Sequence, residues 1–163
     1  MALPVPLRAI LVTSDFSELA REAYRWAVSL ARSTGARIVL AHVLEEEIVA
    51  AMPPFPSGVQ PDVLDLSRFR EESRKAAAAA LEAVAEELRR EGVDVEPVLR
   101  SGRPFVEIVR LAREIPADLV VMGTHGRSGL RHALIGSVAE RVVRKSPCPV
   151  LTVKQAGAAF ETP

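Results

Sequence analysis

Three glycines and a serine stand at fixed intervals in one stretch of the sequence: Gly123, Gly126, Gly136 and Ser137. Glycine has no Cβ, so its backbone can approach a ligand closely and can adopt a positive φ angle. Free peptide N–H groups at the start of a helix attract anions, because the helix dipole is positive there. The stretch therefore predicts a phosphate-binding loop, although the same glycines could also serve only to make turns.

The patterns on either side of these glycines place them at one edge of a sheet. Residues 119–122 form an apolar run with the length of a strand buried on both faces. A helical pattern begins at Ser137. Its apolar stripe comprises Val138, Ala139, Val142 and Val143. A loop between a strand and the helix that follows lies at the carboxyl end of the strand, where ligands of α/β proteins bind.

Other polar residues near this predicted edge could have structural roles. Arg127 directly follows Gly126 and could donate to a phosphate, or could lie on the surface. Asp15 follows the first strand and could be a cap or turn carboxylate. His42 has an apolar neighbour on each side, which favours a hydrogen-bonded core histidine over a ligand.

The sequence gives little support for covalent catalysis. His125 and Ser137 with Asp15 would be a base, a nucleophile and an orienting acid, but no G-x-S-x-G elbow is present. The chain also has no Walker lysine, catalytic aspartate pair or metal-ligand cluster. We therefore assign no catalytic residue and expect any nucleotide hydrolysis to be slow.

Strand and helix patterns alternate along the whole chain, which predicts a parallel sheet with helices on both faces. The strands are expected at residues 8–13, 37–44, 93–99, 119–122 and 150–153. Pro97 cannot donate to a ladder and indicates an edge strand. The first helix runs from Ser17 to Gly35. Its expected stripe comprises Leu19, Ala23, Trp26, Ala27 and Leu30.

Length and composition predict one cytoplasmic domain. The chain has 163 residues with 21 acidic and 21 basic side chains, so neither nucleic acid nor an anionic membrane is an expected partner. It has one cysteine, Cys148, and no run long enough to cross a bilayer. Residues 1–154 are expected to form the domain, with a flexible loop or lid at 45–60 and a disordered tail at 155–163.

The G-x2-G-x9-G-[ST] spacing resembles the ATP-binding branch of the universal stress protein family. The segments 118–123 before the motif and 146–153 after it are also similar to that family, and the resemblance covers residues 8–154. It implies a Rossmann-like adenine-nucleotide-binding fold, an open five-stranded sheet of order 3-2-1-4-5. The expected ligand is ATP with Mg²⁺, held in the crevice between strands 1 and 4.

The resemblance also implies a set of ATP-binding residues. Asp15 would contact the ribose or a phosphate-bound Mg²⁺, and Val43 would meet adenine through main-chain atoms, although Val43 also fits a plain core position. The residues that match are Thr13, Ser14, Asp15, Val43, Met122, Gly123, Gly126, Arg127, Gly136, Ser137 and Val138. Where the family often has Val-Pro-Val-Asp-Gly-Ser, this chain keeps the acid but has Thr13, Ser14 and Phe16 at the rim of the crevice.

Three functions follow as hypotheses. The first is an ATP-binding regulatory or stress-response module with at most slow hydrolysis. The alternatives are a dimeric interaction adaptor that does not require nucleotide, and a genuine adenine-nucleotide hydrolase. Since the family commonly pairs its final strands, we also expect a homodimer through residues 149–153, an apolar edge that would otherwise invite aggregation.

Overall fold

The computed structural model describes residues 6–45, 63–124 and 136–154. Strands and helices alternate along these residues. In chain order they are β1 Ala9–Ser14, α1 Glu18–Thr34, β2 Arg37–Leu44, α2 Val63–Arg90, β3 Val95–Ser101, α3 Pro104–Glu114, β4 Leu119–Gly123, α4 Ser137–Lys145 and β5 Val150–Val153. In these ranges no helix has the length and apolarity that crossing a membrane would require.

The strands form one parallel sheet in the order β3-β2-β1-β4-β5, which confirms the predicted fold. From β1 the chain winds outward through β2 to β3, and then returns to place β4 on the other side of β1. The direction of winding therefore reverses between β1 and β4. In open parallel sheets a crevice forms at this point, beyond the carboxyl ends of the strands.

The central strand is buried on both faces because a helical layer covers each side of the sheet. Ile10 and Val12 pack with α1 and α2, whereas Leu11 between them packs with α3 and α4. All three side chains are 0% exposed. Burying an aliphatic side chain of this size contributes about 1.5 to 3 kcal/mol, so the centre of the sheet is a rigid base for the loops at its edge.

Helix α1 begins and ends where the sequence predicts, but its buried face differs from the expected one. Ser17 is the N-cap and accepts from the Ala20 N–H, and Gly35 ends the helix at φ 76°. Trp26 is 54% exposed, so its predicted core position was wrong. It lies two residues from both Tyr24 and Val28, and residues so spaced point to different sides of a helix. The buried residues are Ala20, Ala23, Tyr24, Ala27, Val28 and Ala31.

Two smaller differences concern α4 and β3. Val143 was expected on the buried stripe of α4 but is 49% exposed, whereas Ala139 and Val142 are buried and Val138 packs against the same cluster. Strand β3 begins two residues later than predicted, and it lies at the sheet edge as Pro97 indicated. Residues 46–60 of the predicted loop and the predicted tail 155–163 lie outside the described residues.

At the amino edge of the sheet one carboxylate joins two strands. Oδ2 of Asp118 accepts hydrogen bonds from the N–H groups of Arg8, at 2.7 Å, and Ala9, at 3.0 Å. These two backbone bonds lower the pKa of Asp118 below its ordinary value. Asp118 thereby ties the segment before β4 to the start of β1, at the edge opposite the crevice.

Candidate functional site

The corner between β4 and α4 is closed by main-chain hydrogen bonds. The Gly136 N–H donates to the Thr124 carbonyl at 2.7 Å, and the Thr124 N–H donates to the carbonyl of Val153 in β5 at 3.0 Å. Gly123 and Gly136, the outer glycines of the motif, are therefore brought close together. Gly126 and Arg127, which were also predicted to bind phosphate, lie outside the described residues.

The residue at the N-cap position of α4 has no side chain with which to cap the helix. Gly136 is the N-cap residue, with φ −68° and ψ 153°, and no side chain bonds to the first turn from this position. Ser137, the first residue of the helix, is exposed. The acid of the first turn, Glu140, pairs with Arg144 at 2.7 Å, one turn further along the helix. The N–H groups at this helix start are thus suited to an anion.

The corner between β1 and α1 is organised by side chains instead. Oδ1 of Asp15 accepts from the Ser17 N–H at 3.0 Å and from the Ser17 hydroxyl at 2.6 Å. The same hydroxyl accepts from the Ala20 N–H at 3.2 Å, so Ser17 caps α1 and holds Asp15 at once. Oδ2 of Asp15 is buried. Asp15 therefore accepts hydrogen bonds within its own turn, which fixes its position.

Ser14, the residue before Asp15, is held on the side of the sheet that α1 covers. The Ser14 hydroxyl is hydrogen-bonded to the Tyr24 hydroxyl and accepts from the Phe16 N–H at 3.1 Å. The Ser14 carbonyl accepts from Nδ1 of His42 at 2.7 Å. Burial raises the pKa of Tyr24, so its hydroxyl stays protonated at neutral pH. His42 is thus a hydrogen-bonded histidine of the sheet, as the sequence favoured.

Ser14 consequently differs from the other predicted binding residues at the ends of β1 and β2. Its side chain is 6% exposed and points toward α1, away from the layer formed by α3 and α4. Met122 belongs to the apolar cluster on the α3 and α4 side, and Val43 and Val138 pack against it. Thr13 lies on that side too, because side chains alternate along a strand and Leu11 faces α3 and α4.

The register of β1 and β4 brings the two corners to the same edge. Ile10 is paired with Leu119, and Val12 is paired with Val121. The same parallel register, continued, sets Thr13 level with Met122 and Asp15 level with Thr124. The Asp15 carboxylate and the start of α4 at Gly136 therefore flank the crevice where the winding of the sheet reverses.

Two residues of this site were missed by the sequence reasoning. Thr124 is 2% exposed and joins both sides of the β4–α4 corner through its main chain, a role that leaves no signal in a side-chain pattern. Tyr24 did leave a signal. Ser14 continues the alternation of Ile10 and Val12 toward α1, so a buried polar partner on that helix was needed.

Comparison with known proteins gives the family. The model of the universal stress protein family matches residues 6–154. Universal stress protein MJ0531 of Methanocaldococcus jannaschii is 33% identical over 148 residues, which cover 91% of this chain and 82% of that protein. Universal stress protein MJ0577 of the same organism is 30% identical over 159 residues, 94% of this chain and 98% of that protein. The chain belongs to the universal stress protein family.

Solved structures agree with this assignment. The structure of MJ0577 superposes with a TM-score of 0.81 and 29% identity, over 94% of this chain and 100% of that one. A universal stress protein in complex with cAMP has a TM-score of 0.66 at 25% identity, over 92% and 98% of the two chains. One from Archaeoglobus fulgidus in complex with dAMP has a TM-score of 0.59 at 26% identity, over 92% and 100%. Adenine nucleotides are thus ligands of proteins with this fold and similar sequence.

Proposed function

We propose that this protein binds ATP with Mg²⁺ and acts as a regulatory or stress-response module with at most slow ATP hydrolysis. The observation that carries the proposal is the start of α4 at Gly136, a residue with no capping side chain, beside the Thr124 carbonyl and level with the fixed carboxylate of Asp15. Membership of the family and the two relatives that bind adenine nucleotides support it.

Different residues would contact the three parts of the ligand, which are the phosphates, the ribose and the base. The main chain of Gly123, Gly136 and Ser137 would hold the phosphates, with Gly126 and Arg127 as further predicted contacts. Asp15 would meet the ribose or Mg²⁺, a cation that prefers carboxylate and phosphate oxygens. The base would lie at the ends of β1, β2 and β4, against the main chain of Val43. Met122 and Val138 would form the apolar side of that space, beside Thr13.

Ser14 requires a narrower role than the resemblance implied. Its hydroxyl and carbonyl both bond on the α1 side of the sheet, to Tyr24 and His42. A side-chain contact from Ser14 to nucleotide would break the bond to Tyr24. We therefore restrict the contribution of Ser14 to shaping the turn that carries Asp15.

The contacts are sufficient in number for micromolar binding. A hydrogen bond to a charged group contributes about 1.5 to 3 kcal/mol. Micromolar affinity corresponds to about 8 kcal/mol, after the cost of association has been met. Several amide contacts at the start of α4, with the carboxylate of Asp15, reach that range.

Titration calorimetry with ATP and Mg²⁺ tests the proposal. Saturable binding with micromolar Kd is expected for the wild type, and Asp15→Asn should weaken it roughly tenfold, the loss of about one charged contact. Asp118→Asn is the matched control, since it removes a carboxylate at the opposite edge of the sheet. No saturation below millimolar ATP would exclude the proposal, and turnover faster than about one per second would favour the hydrolase.

We further propose a homodimer through residues 149–153. β5 is an outer strand of the sheet, and its Val150 and Leu151 are only partly buried within the protomer. An apolar strand edge of this kind is normally covered. Sedimentation at micromolar concentration should give the dimer mass, and a monomer alone would count against pairing.

The cytoplasmic location stays a prediction that fractionation of cells would test.

A further inference from the structure

The turn that carries Asp15 contains a conformation that needs outside support. Phe16 has φ 62°, in the left-handed region that residues with a Cβ adopt only at a cost. Such a conformation persists where surrounding contacts hold it. Here the Phe16 N–H donates to the Ser14 hydroxyl at 3.1 Å, and its ring lies 4.4 Å from the His42 ring, centroid to centroid.

The support for this turn extends to α1 through one side chain. Tyr24 is 6% exposed, and its ring packs in the core between α1, α2 and the sheet. Its hydroxyl bonds to the same Ser14 oxygen that receives the Phe16 N–H. Ser14 and Phe16 are the two neighbours of Asp15, so the rigid ring of Tyr24 limits the movement of the residues on both sides of the carboxylate.

We propose that Tyr24 is a positioning residue of the nucleotide site, which acts through Ser14 to hold the β1–α1 turn in the form that places Asp15 at the crevice. Tyr24 itself lies on the other side of the sheet and does not touch the ligand. The proposal rests on the proposed function, since it concerns how the acid of that site is oriented.

A double-mutant cycle separates positioning from general stabilisation. Tyr24→Phe keeps the ring in the core and removes only the hydroxyl. Calorimetry with ATP and Mg²⁺ should show affinity about five- to tenfold lower than that of the wild type, the effect of one hydrogen bond. In an Asp15→Asn background the same change should alter affinity less than twofold, because the charge to be positioned is already lost.

The turn itself is monitored by amide hydrogen exchange in the protein without ligand. In Tyr24→Phe the Phe16 amide should exchange at least fivefold faster, while the amide of Leu11 in the sheet core is unchanged.

Ser14→Ala removes the other partner of the bond and should reproduce the loss of affinity, with no further loss in the Ser14→Ala, Tyr24→Phe double variant. Ser33→Ala is the control, since its hydroxyl bonds to the Leu30 carbonyl at the far end of α1.

The outcomes distinguish the two proposals. Wild-type binding with equal losses from Tyr24→Phe in both backgrounds, or with no loss at all, overturns the role of Tyr24 and leaves the proposed function intact. Absence of saturable binding by the wild type overturns both. Coupled loss of affinity together with faster exchange at Phe16 supports the positioning role.

Discussion

The two corners that flank the crevice are built from different parts of the chain. At the β1–α1 corner the hydrogen bonds are made mainly by side-chain groups, those of Ser14, Asp15, Ser17, Tyr24 and His42. At the β4–α4 corner the described bonds run between main-chain atoms of Thr124, Gly136 and Val153. The first corner fixes one carboxylate, whereas the second places a glycine, which has no capping side chain, at the start of a helix.

This difference fits the two ends of a nucleotide. In the proposed ligand, the ribose hydroxyls or a phosphate-bound Mg²⁺ would take one protein oxygen at a defined place, which the network of side chains around Asp15 provides. A polyphosphate spreads its charge over many oxygens, so a set of N–H groups in a helix dipole is suited to it. Substitutions should therefore affect mainly ligand binding at the β4–α4 corner, and both folding and binding at the β1–α1 corner.

The largest expected effect is at Gly136. Gly136→Val adds a branched side chain beside the amides of α4, where we expect phosphate. Its φ of −68° and ψ of 153° suit residues with a Cβ, but valine is a poor N-cap residue, so we expect the free energy of unfolding to fall by about 1 kcal/mol. Losing one charged contact, about 1.5 to 3 kcal/mol, lowers ATP affinity ten- to hundredfold. Calorimetry and thermal unfolding of the same sample measure both quantities.

Gly35→Ala is the matched control for this substitution. Gly35 ends α1 at φ 76°, and no atom outside its neighbours in the chain lies within 4 Å of an added Cβ. The change should reduce stability by about 1 kcal/mol through backbone strain alone, without changing ATP affinity. Unchanged affinity in Gly136→Val would contradict the role of the β4–α4 corner.

The second prediction concerns the strain at Phe16. Phe16→Gly and Phe16→Ala both remove the ring that packs on His42, but only alanine keeps a Cβ at φ 62°. We expect Phe16→Ala to be less stable than Phe16→Gly by about 1 kcal/mol. This corresponds to a difference in Tm of about 2 to 4 °C for a domain of this size. Equal melting temperatures would mean that the turn relaxes when the ring is lost.

Most of the fold could be predicted from the sequence because it depends on the periodicity of apolar residues and on the residues that begin or end helices and strands. Ser17 and Gly35 bound α1 as expected, and Pro97 lies on an edge strand. Trp26 and Val143 were misplaced because a large apolar residue does not define the buried face of a helix. In α1 the buried face is formed mainly by alanines, together with Tyr24 and Val28.

The site could be predicted only in part. Position at strand ends was enough to bring Asp15 and Gly136 to one edge, since parallel strands share a carboxyl edge. The direction in which a side chain points at that edge could not be predicted in the same way. Ser14 was included among the binding residues through the family resemblance, yet its side chain faces α1 and its hydroxyl is bonded to Tyr24.

The smallest expected effect is at Asp118, an anchored carboxylate at the edge without the crevice. Its pKa is lowered from the ordinary value of 3.8, so the stability it contributes is present above that pH and is lost as pH falls through its folded pKa. Asp118→Asn keeps an acceptor oxygen but no charge, and should cost about 0.5 kcal/mol at neutral pH, since solvent screens a partly exposed carboxylate. Thermal unfolding of both proteins should give a difference in Tm that vanishes below the folded pKa, with ATP affinity unchanged at neutral pH. Weakened ATP binding in Asp118→Asn would show that a charge at the amino edge also influences the crevice, and would contradict the confinement of the site to the carboxyl edge.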